Sequence, residues 1–165
     1  MRMPKSALED LKSKLRESKF LGKKVVFTNG VFDILHVGHV TYLEAAKQLG
    51  DFLVVGLNDD DSVRRLNKGP ERPINAESAR AKILSALKAV DAVVIFSEGT
   101  PLELIKELEP DVLVKGGDYD PEELDSNHPK YMVGSTEVRK WGGVVKTIPT
   151  VEGFSTTGIV KKLKS

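Results

Sequence analysis

Five short apolar runs divide the chain, and helical periodicity fills the intervals between them. The runs are Lys24–Thr28, Phe52–Leu57, Ala92–Phe96, Val112–Val114 and Val144–Ile148. They are apolar throughout rather than alternating, the pattern of strands covered on both faces. Between them, Leu43, Ala46 and Leu49 mark one helix face, and Ala79, Ile83, Leu87 and Val90 mark another. Ser6 with Glu9 reads as a capping box for an N-terminal helix whose apolar face is Leu8, Leu11 and Leu15. Thr100-Pro101-Leu102-Glu103 reads as cap, first-turn proline and third-position glutamate. Strand–helix alternation of this kind predicts an α/β fold: a doubly wound, five-stranded parallel sheet with helices on both faces.

Two segments break the rhythm. Asn67–Asn75 is a loop punctuated by Gly and Pro that carries Lys68 and Arg72. Gly116–Ser135 runs for about twenty residues without a clear period, apart from a short turn expected at Pro121–Leu124, and a loop that long in a compact domain is usually functional or mobile. Its part Asp125–Met132 is polar and reads as burying little.

Composition narrows the class. A length of 165 residues fits one domain with a full-sized core. We expect an N-terminal helix over 1–20 and a catalytic domain over 21–165. Lys and Arg number 25 against 24 Asp and Glu, which gives no electrostatic case for a nucleic-acid partner. With no Cys, disulfides, thiolate metal sites and Cys nucleophiles are excluded. The charged first twenty residues lack the apolar core of a secretory signal, and no run nears the roughly 20 apolar residues of a membrane helix, so the expectation is a cytoplasmic protein with no membrane partner. Oligomeric state is left open; a homo-oligomer is compatible with the sequence.

The chemistry concentrates after the first run, in Thr28-Asn29-Gly30-Val31-Phe32-Asp33-Ile34-Leu35-His36-Val37-Gly38-His39. A helix beginning near Gly38 puts His36 and His39 on one face of its first turn. Two imidazoles beside the N–H groups at the positive end of a helix dipole make a phosphate site. Gly38 and Gly30 remove side chains where such a ligand must come close. Only three His occur in the chain, so two of them in one H-x-G-H weighs against a chance helix cap. Gly153-Phe154-Ser155-Thr156-Thr157 precedes a short helix over Gly158–Leu163 and reads either as an ordinary Ser/Thr cap or as a second phosphate cradle. Lys115-Gly116-Gly117-Asp118 ends the fourth run and reads either as a plain turn or as the wall of a nucleotide pocket, with Asp118 accepting hydrogen bonds. Lys68, Arg72 and Arg80 are candidates for triphosphate contacts. Asp59-Asp60-Asp61 is read as an acid-rich helix start rather than a metal cluster. His128 is expected at the surface, and Trp141 in the core.

H-x-G-H after a T-x-G-x-F-D strand resembles the cytidylyltransferase-like nucleotidyltransferase superfamily, over about Lys24–Leu163. Ala89–Val94, Asp111–Tyr119 and Glu152–Thr157 resemble more closely the branch that adenylylates D-glycero-β-D-manno-heptose 1-phosphate. The resemblance implies a Rossmann-like sheet of order 3-2-1-4-5, with strands 1 and 4 side by side at the switch point where ligands bind. It implies an enzyme that transfers AMP from ATP to the heptose 1-phosphate, releasing pyrophosphate and giving ADP-heptose for lipopolysaccharide core synthesis, with Mg²⁺ accompanying ATP. His36, His39 and Lys68 are then the catalytic residues. Asn29, Gly30, Val31, Phe32, Gly38, His39, Arg80, Gly116, Asp118, Ser155 and Thr156 bind the nucleotide; Arg80 matches an Arg position of related cytidylyltransferases. Asp33 holds sugar hydroxyls and Lys115 the sugar phosphate. The R-T that opens the cytidylyltransferase signature R-T-x-G-I-S-T-T is replaced here by Thr150-Val151, which points to ATP rather than CTP. The alternative is a glycerol 3-phosphate or ethanolamine-phosphate cytidylyltransferase. A non-catalytic ATP sensor and a flavodoxin-like carrier are rivals from other classes, and the carrier leaves H-x-G-H unexplained.

Overall fold

The computed structural model describes residues 5–67 and 69–164. Five strands, β1 (Val25–Gly30), β2 (Phe52–Asn58), β3 (Ala92–Phe96), β4 (Val112–Gly116) and β5 (Val144–Ile148), form one parallel sheet of order β3-β2-β1-β4-β5. Seven helices cover it: α1 (Lys5–Phe20), α2 (Val37–Lys47), α3 (Asp60–Arg65), α4 (Glu77–Ser85), α5 (Leu102–Leu108), α6 (Ser135–Lys140) and α7 (Thr156–Lys164).

The apolar runs became strands because they bury both faces. Val25, Phe27, Val54 and Val94 point to one layer, where they meet Leu11 and Leu15 of α1, Leu104, Ile105 and Leu108 of α5, and Val138 of α6. Val26, Leu53, Val55 and Leu57 point to the other, against Leu43 and Ala46 of α2 and Leu84 of α4. The edge strand β5 departs from the expectation of full coverage, since Val144 is 47% exposed.

Pairing is uneven in a way that matters. β1 pairs with β2 at six positions, Val25 to Gly30 against Phe52 to Leu57. With β4 it pairs at Val26↔Val112 and Phe27↔Leu113 only. The two central strands therefore part toward their carboxyl ends, at the place where chain direction across the sheet reverses. Tyr42 fills the gap from α2. Its hydroxyl lies 2.6 Å from Thr28 Oγ1 on β1 and donates to Val114 O on β4 at 3.2 Å.

Several local expectations shift. Ser6 lies inside α1 rather than capping it, and Glu9 accepts from Lys12 Nζ at 2.9 Å. In α5 Pro101 is itself the N-cap residue, and Glu103 accepts from Lys106. The buried face of α4 is Arg80 and Leu84, while Ala79 and Ile83 face outward; a buried Arg breaks the apolar period that an eye for hydrophobics follows. Asp59 caps α3, accepting from Ser62 N at 2.7 Å, with Asp60 and Asp61 in the first turn, as expected of an acid-rich helix start. Trp141 packs against the core and donates Nε1–H to Pro110 O. The segment Asp125–Met132 is mostly exposed, but Met132 is fully buried in the core beside α5 and α6, so the loop is anchored at that end.

Candidate functional site

At the parted ends of β1 and β4 lies a cleft of about 460 Å³. Three loops wall it, one leaving each of β1, β4 and β5, and Arg72 joins them from the loop between α3 and α4. The first carries His36 as the N-cap residue of α2, with extended backbone (φ −143°, ψ 171°) that turns its ring back over the helix start. His39, one turn on, stacks on it with ring centroids 3.9 Å apart and planes 25° from parallel. Gly38 is what allows this: a Cβ there would sit 3.0 Å from His36 Nδ1 and 3.3 Å from the Phe154 Cβ. The glycine expected to admit a phosphate thus first admits an imidazole. Phe32 packs against His39 at 5.3 Å, and to do so adopts φ 47°, a left-handed conformation that costs a non-glycine residue of order 1–3 kcal/mol. Such strain is held by surrounding structure, commonly at ligand sites.

Burial sets the charge state of the paired imidazoles. Burial and the neighbouring His36 hold His39 down to about 4, and burial lowers His36 as well. The pair is therefore uncharged near neutrality. The Nδ1 atoms of His36 and His39, and Oδ1 of Asn29, are buried without a hydrogen-bond partner. Opposite them, Lys115 Nζ donates to Asn29 O at 3.2 Å and lies 5.4 Å from the Tyr119 ring centre. Ser155 caps α7, its Oγ accepting from Gly158 N at 3.0 Å, and Thr156 Oγ1 donates to Ile34 O at 3.4 Å, which ties the start of α7 to the H-x-G-H loop. Of the two readings of Ser155-Thr156-Thr157, the cap is formed and the residues also line the cleft.

The cleft brings together Asn29, Gly30, Val31, Phe32, Asp33, His36, Gly38, His39, Lys115, Gly116, Ser155 and Thr156. Two expected residues, Arg80 and Asp118, stand outside the cleft lining. Arg80 is 1% exposed and its guanidinium is spent on protein: Nε to Asn75 O, Nη1 to Val31 O at 2.7 Å, and Nη2 to Asp60 Oδ1 at 2.7 Å. It clamps the cleft loop from behind rather than meeting phosphate. Asp118 is exposed and outside the cleft lining. Lys68 lies outside the described residues. Asp33 lines the cleft with its carboxylate already engaged by protein donors. Its carboxylate is 2% exposed as a residue and accepts Arg72 Nε at 2.5 Å and the N–H groups of Ile74 and Asn75. What it does is hold Arg72, 8% exposed, against the cleft, so a cation arrives where the carboxylate was expected to act.

Sequence reasoning missed Tyr42 as a cleft residue, and within stretches it had marked it did not single out Tyr119, Thr150, Val151, Phe154 or Thr157. Tyr42 had a signal, since it follows His39 by three positions and so shares its helix face. A larger groove of about 620 Å³ lies between α1, β3 and α5, but Glu9, Glu98, Glu103 and Glu107 line it, a poor seat for a polyphosphate.

Residues 27–162 match the cytidylyltransferase-like family. The chain belongs to that family. As a member it is a nucleotidyltransferase. The chain is 54% identical over 155 residues to the bifunctional protein HldE of Syntrophotalea carbinolica, covering 94% of this chain and 30% of that protein. It is 56% identical over 142 residues to HldE of Coxiella burnetii, covering 86% and 28%. The chain thus spans under a third of the curated relatives it matches. Among solved structures, a lipopolysaccharide core biosynthesis protein from Thermoplasma volcanium is 34% identical with a TM-score of 0.60, over 79% of this chain and 98% of that one. Pantothenate synthetase from Thermus thermophilus shares the fold at 19% identity and a TM-score of 0.53, over 87% of this chain and 60% of that one. No helix among the described residues is long and apolar enough to cross a membrane.

Proposed function

We propose that this nucleotidyltransferase moves AMP from ATP to D-glycero-β-D-manno-heptose 1-phosphate, giving ADP-heptose and pyrophosphate for lipopolysaccharide core synthesis. The stacked, orphaned His36–His39 pair facing Lys115 carries the reading. It offers neutral donors where negative charge builds during transfer, and a cation where a second phosphate must be neutralised. The HldE relatives and the Thermoplasma protein's role in lipopolysaccharide core synthesis support the choice of sugar.

An acceptor phosphate is already a competent nucleophile, so no enzyme side chain needs to attack. One of its oxygens adds in line to the α-phosphorus of ATP, the bond from that phosphorus to the β-phosphate oxygen breaks, and pyrophosphate leaves with the electron pair. The protein positions the two substrates and stabilises charge. His36 and His39 donate to the α- and β-phosphates, and Lys115 and the Asp33-anchored Arg72 supply positive charge. Mg²⁺ would accompany ATP and supply positive charge to its phosphates. The described residues offer no group of three His, Asp or Glu to cage it, and the one carboxylate lining the cleft, Asp33, is committed to Arg72 and two N–H groups.

Thr150 and Val151 line the cleft where cytidylyltransferases carry Arg-Thr, and neither can supply the rigid donor fork of an Arg. The test is a competition of ATP, CTP, GTP and UTP with heptose 1-phosphate, scored by kcat/KM from pyrophosphate release. ATP should be strongly preferred. A preference for CTP would overturn the assignment.

A further inference from the structure

The groove between α1, β3 and α5, about 620 Å³, is larger than the cleft and stands apart from it. Its floor is apolar, made by Leu8 of α1, Val94 and Phe96 of β3 and Leu104 of α5. Its rim is acidic: Glu9, Glu98, Glu103 and Glu107 are all exposed, and the lining holds one cation, Lys12. Lys12 Nζ lies 2.9 Å from Glu9 and 3.6 Å from Glu107, and Lys106 Nζ lies 2.9 Å from Glu103. Four carboxylates thus face two ammonium groups, and the rim keeps a net negative charge. An apolar floor inside an acidic rim fits a helix with an apolar stripe and basic flanks.

The helix α7 has that character. It carries three Lys and no Asp or Glu. With each residue turning about 100°, Ile159, Val160 and Leu163 share one stripe about 100° wide, and Lys161 and Lys162 stand outside it. The stripe is only partly covered by its own chain. Ile159 and Val160 are half-buried but belong to neither core cluster, and Leu163 is 79% exposed. At its start α7 is held by Thr156, whose Oγ1 donates to Ile34 O, and no residue of α7 lines the groove of its own chain.

We propose that two copies of this chain associate reciprocally, the α7 of each lying in the α1–β3–α5 groove of the other. The stripe of Ile159, Val160 and Leu163 meets the apolar floor, and Lys161 and Lys162 meet the acidic rim. Opposite charge selects this occupant, because an acidic segment would be repelled from the same rim. A reciprocal contact repeats about a two-fold axis and closes as a dimer, whereas a one-way contact runs on as an open chain. The association needs no turnover, so it stands or falls separately from the transferase reading.

Sedimentation equilibrium of the full chain, over about a hundredfold range of concentration, should show monomer passing to dimer. Added salt should weaken the dimer by screening the rim. Glu103→Lys with Glu107→Lys reverses the groove, and Lys161→Glu with Lys162→Glu reverses α7. All four side chains are exposed, so each double variant should keep the parent's circular dichroism and Tm. Either reversal should raise the dimer Kd about tenfold or more. Both reversals together restore opposite charges across the contact, and the Kd should return to within about threefold of the parent's. Leu163→Asp, at a position already exposed, should dissociate the dimer without moving Tm. The proposal is overturned by a parent that stays monomeric throughout, by open assemblies larger than a dimer, by reversals that leave the Kd within about twofold, or by a combined variant no tighter than either reversal alone.

Discussion

Arg80→Ala separates a phosphate contact from a structural clamp. The Arg80 side chain is fully buried, and Asp60, its ionic partner, keeps 23% of its side-chain surface. Its guanidinium makes three hydrogen bonds, two to backbone carbonyls and one to a carboxylate. Hydrogen bonds to a charged group contribute about 1.5–3 kcal/mol each, and removing one partner of a buried pair costs about 3–5 kcal/mol. Asp60 can be rehydrated once alone, so the lower half of that range, about 3–4 kcal/mol, is the better figure. For a domain of this size each kcal/mol moves the midpoint by about 2–4 °C, so Tm should fall by roughly 6–16 °C. Arg80→Lys should fall between, because one ammonium can serve Asp60 but cannot span two carbonyls as well. Thermal unfolding by circular dichroism gives the first number, and steady-state kinetics well below the midpoint give the second: the KM for ATP should change little. An Arg80→Ala variant that melts within about 2 °C of the parent, yet has its KM for ATP raised tenfold, or about 1.4 kcal/mol, would refute the clamp and restore the phosphate role.

Three further outcomes follow from the site and its walls. His39→Ala should lower kcat by about 10²–10³ with a much smaller change in ATP affinity, since its donor serves charge that develops during transfer; single-turnover kinetics and calorimetry check it, and a near-normal kcat would remove His39 from the mechanism. Because His39 titrates near 4 when folded and near 6.5 when unfolded, the unfolded chain holds more protons between those values. The resulting stability is present above pH 6.5 and lost as pH falls toward 4, so the pH slope of urea-unfolding free energy across that window should be shallower in His39→Gln than in the parent; equal slopes would mean that the buried imidazole is not depressed. Removing residues 125–130 should leave Tm nearly unchanged, whereas extending the deletion through Met132 should cost about 2–5 kcal/mol by emptying a core position; equal losses from both deletions would show that the exposed stretch is packed.

All five runs correspond to strands; the first four were legible because burial demands uninterrupted apolar runs, whereas β5 is an edge strand with no fully buried residue. The H-x-G-H stretch was legible because scarce, polar residues at helical spacing have few structural excuses. What escaped was long-range polar bookkeeping. Asp33 and Arg72 lie 39 positions apart, and Arg80 and Val31 lie 49 apart. No local pattern says that one charged side chain will be spent on another. Arg80 also misled the reading of α4, because a buried cation interrupts the apolar period that defines a face. Met132 escaped for a related reason: a single anchor in a long polar loop has no periodicity to announce it.

The hydroxyl of Tyr42, set between Thr28 and Val114, works as a doorstop. It keeps two neighbouring strands apart at one end while they stay zipped at the other, so the opening exists before any substrate arrives and binding spends nothing on prising it apart. The floor of that opening is main chain and a few fixed side chains, and its sides are loops that leave three different strands. Such a frame lets the furniture change while the doorway stays put. Loops of other lengths and sequences can re-dress the sides without disturbing the order of the sheet beneath them.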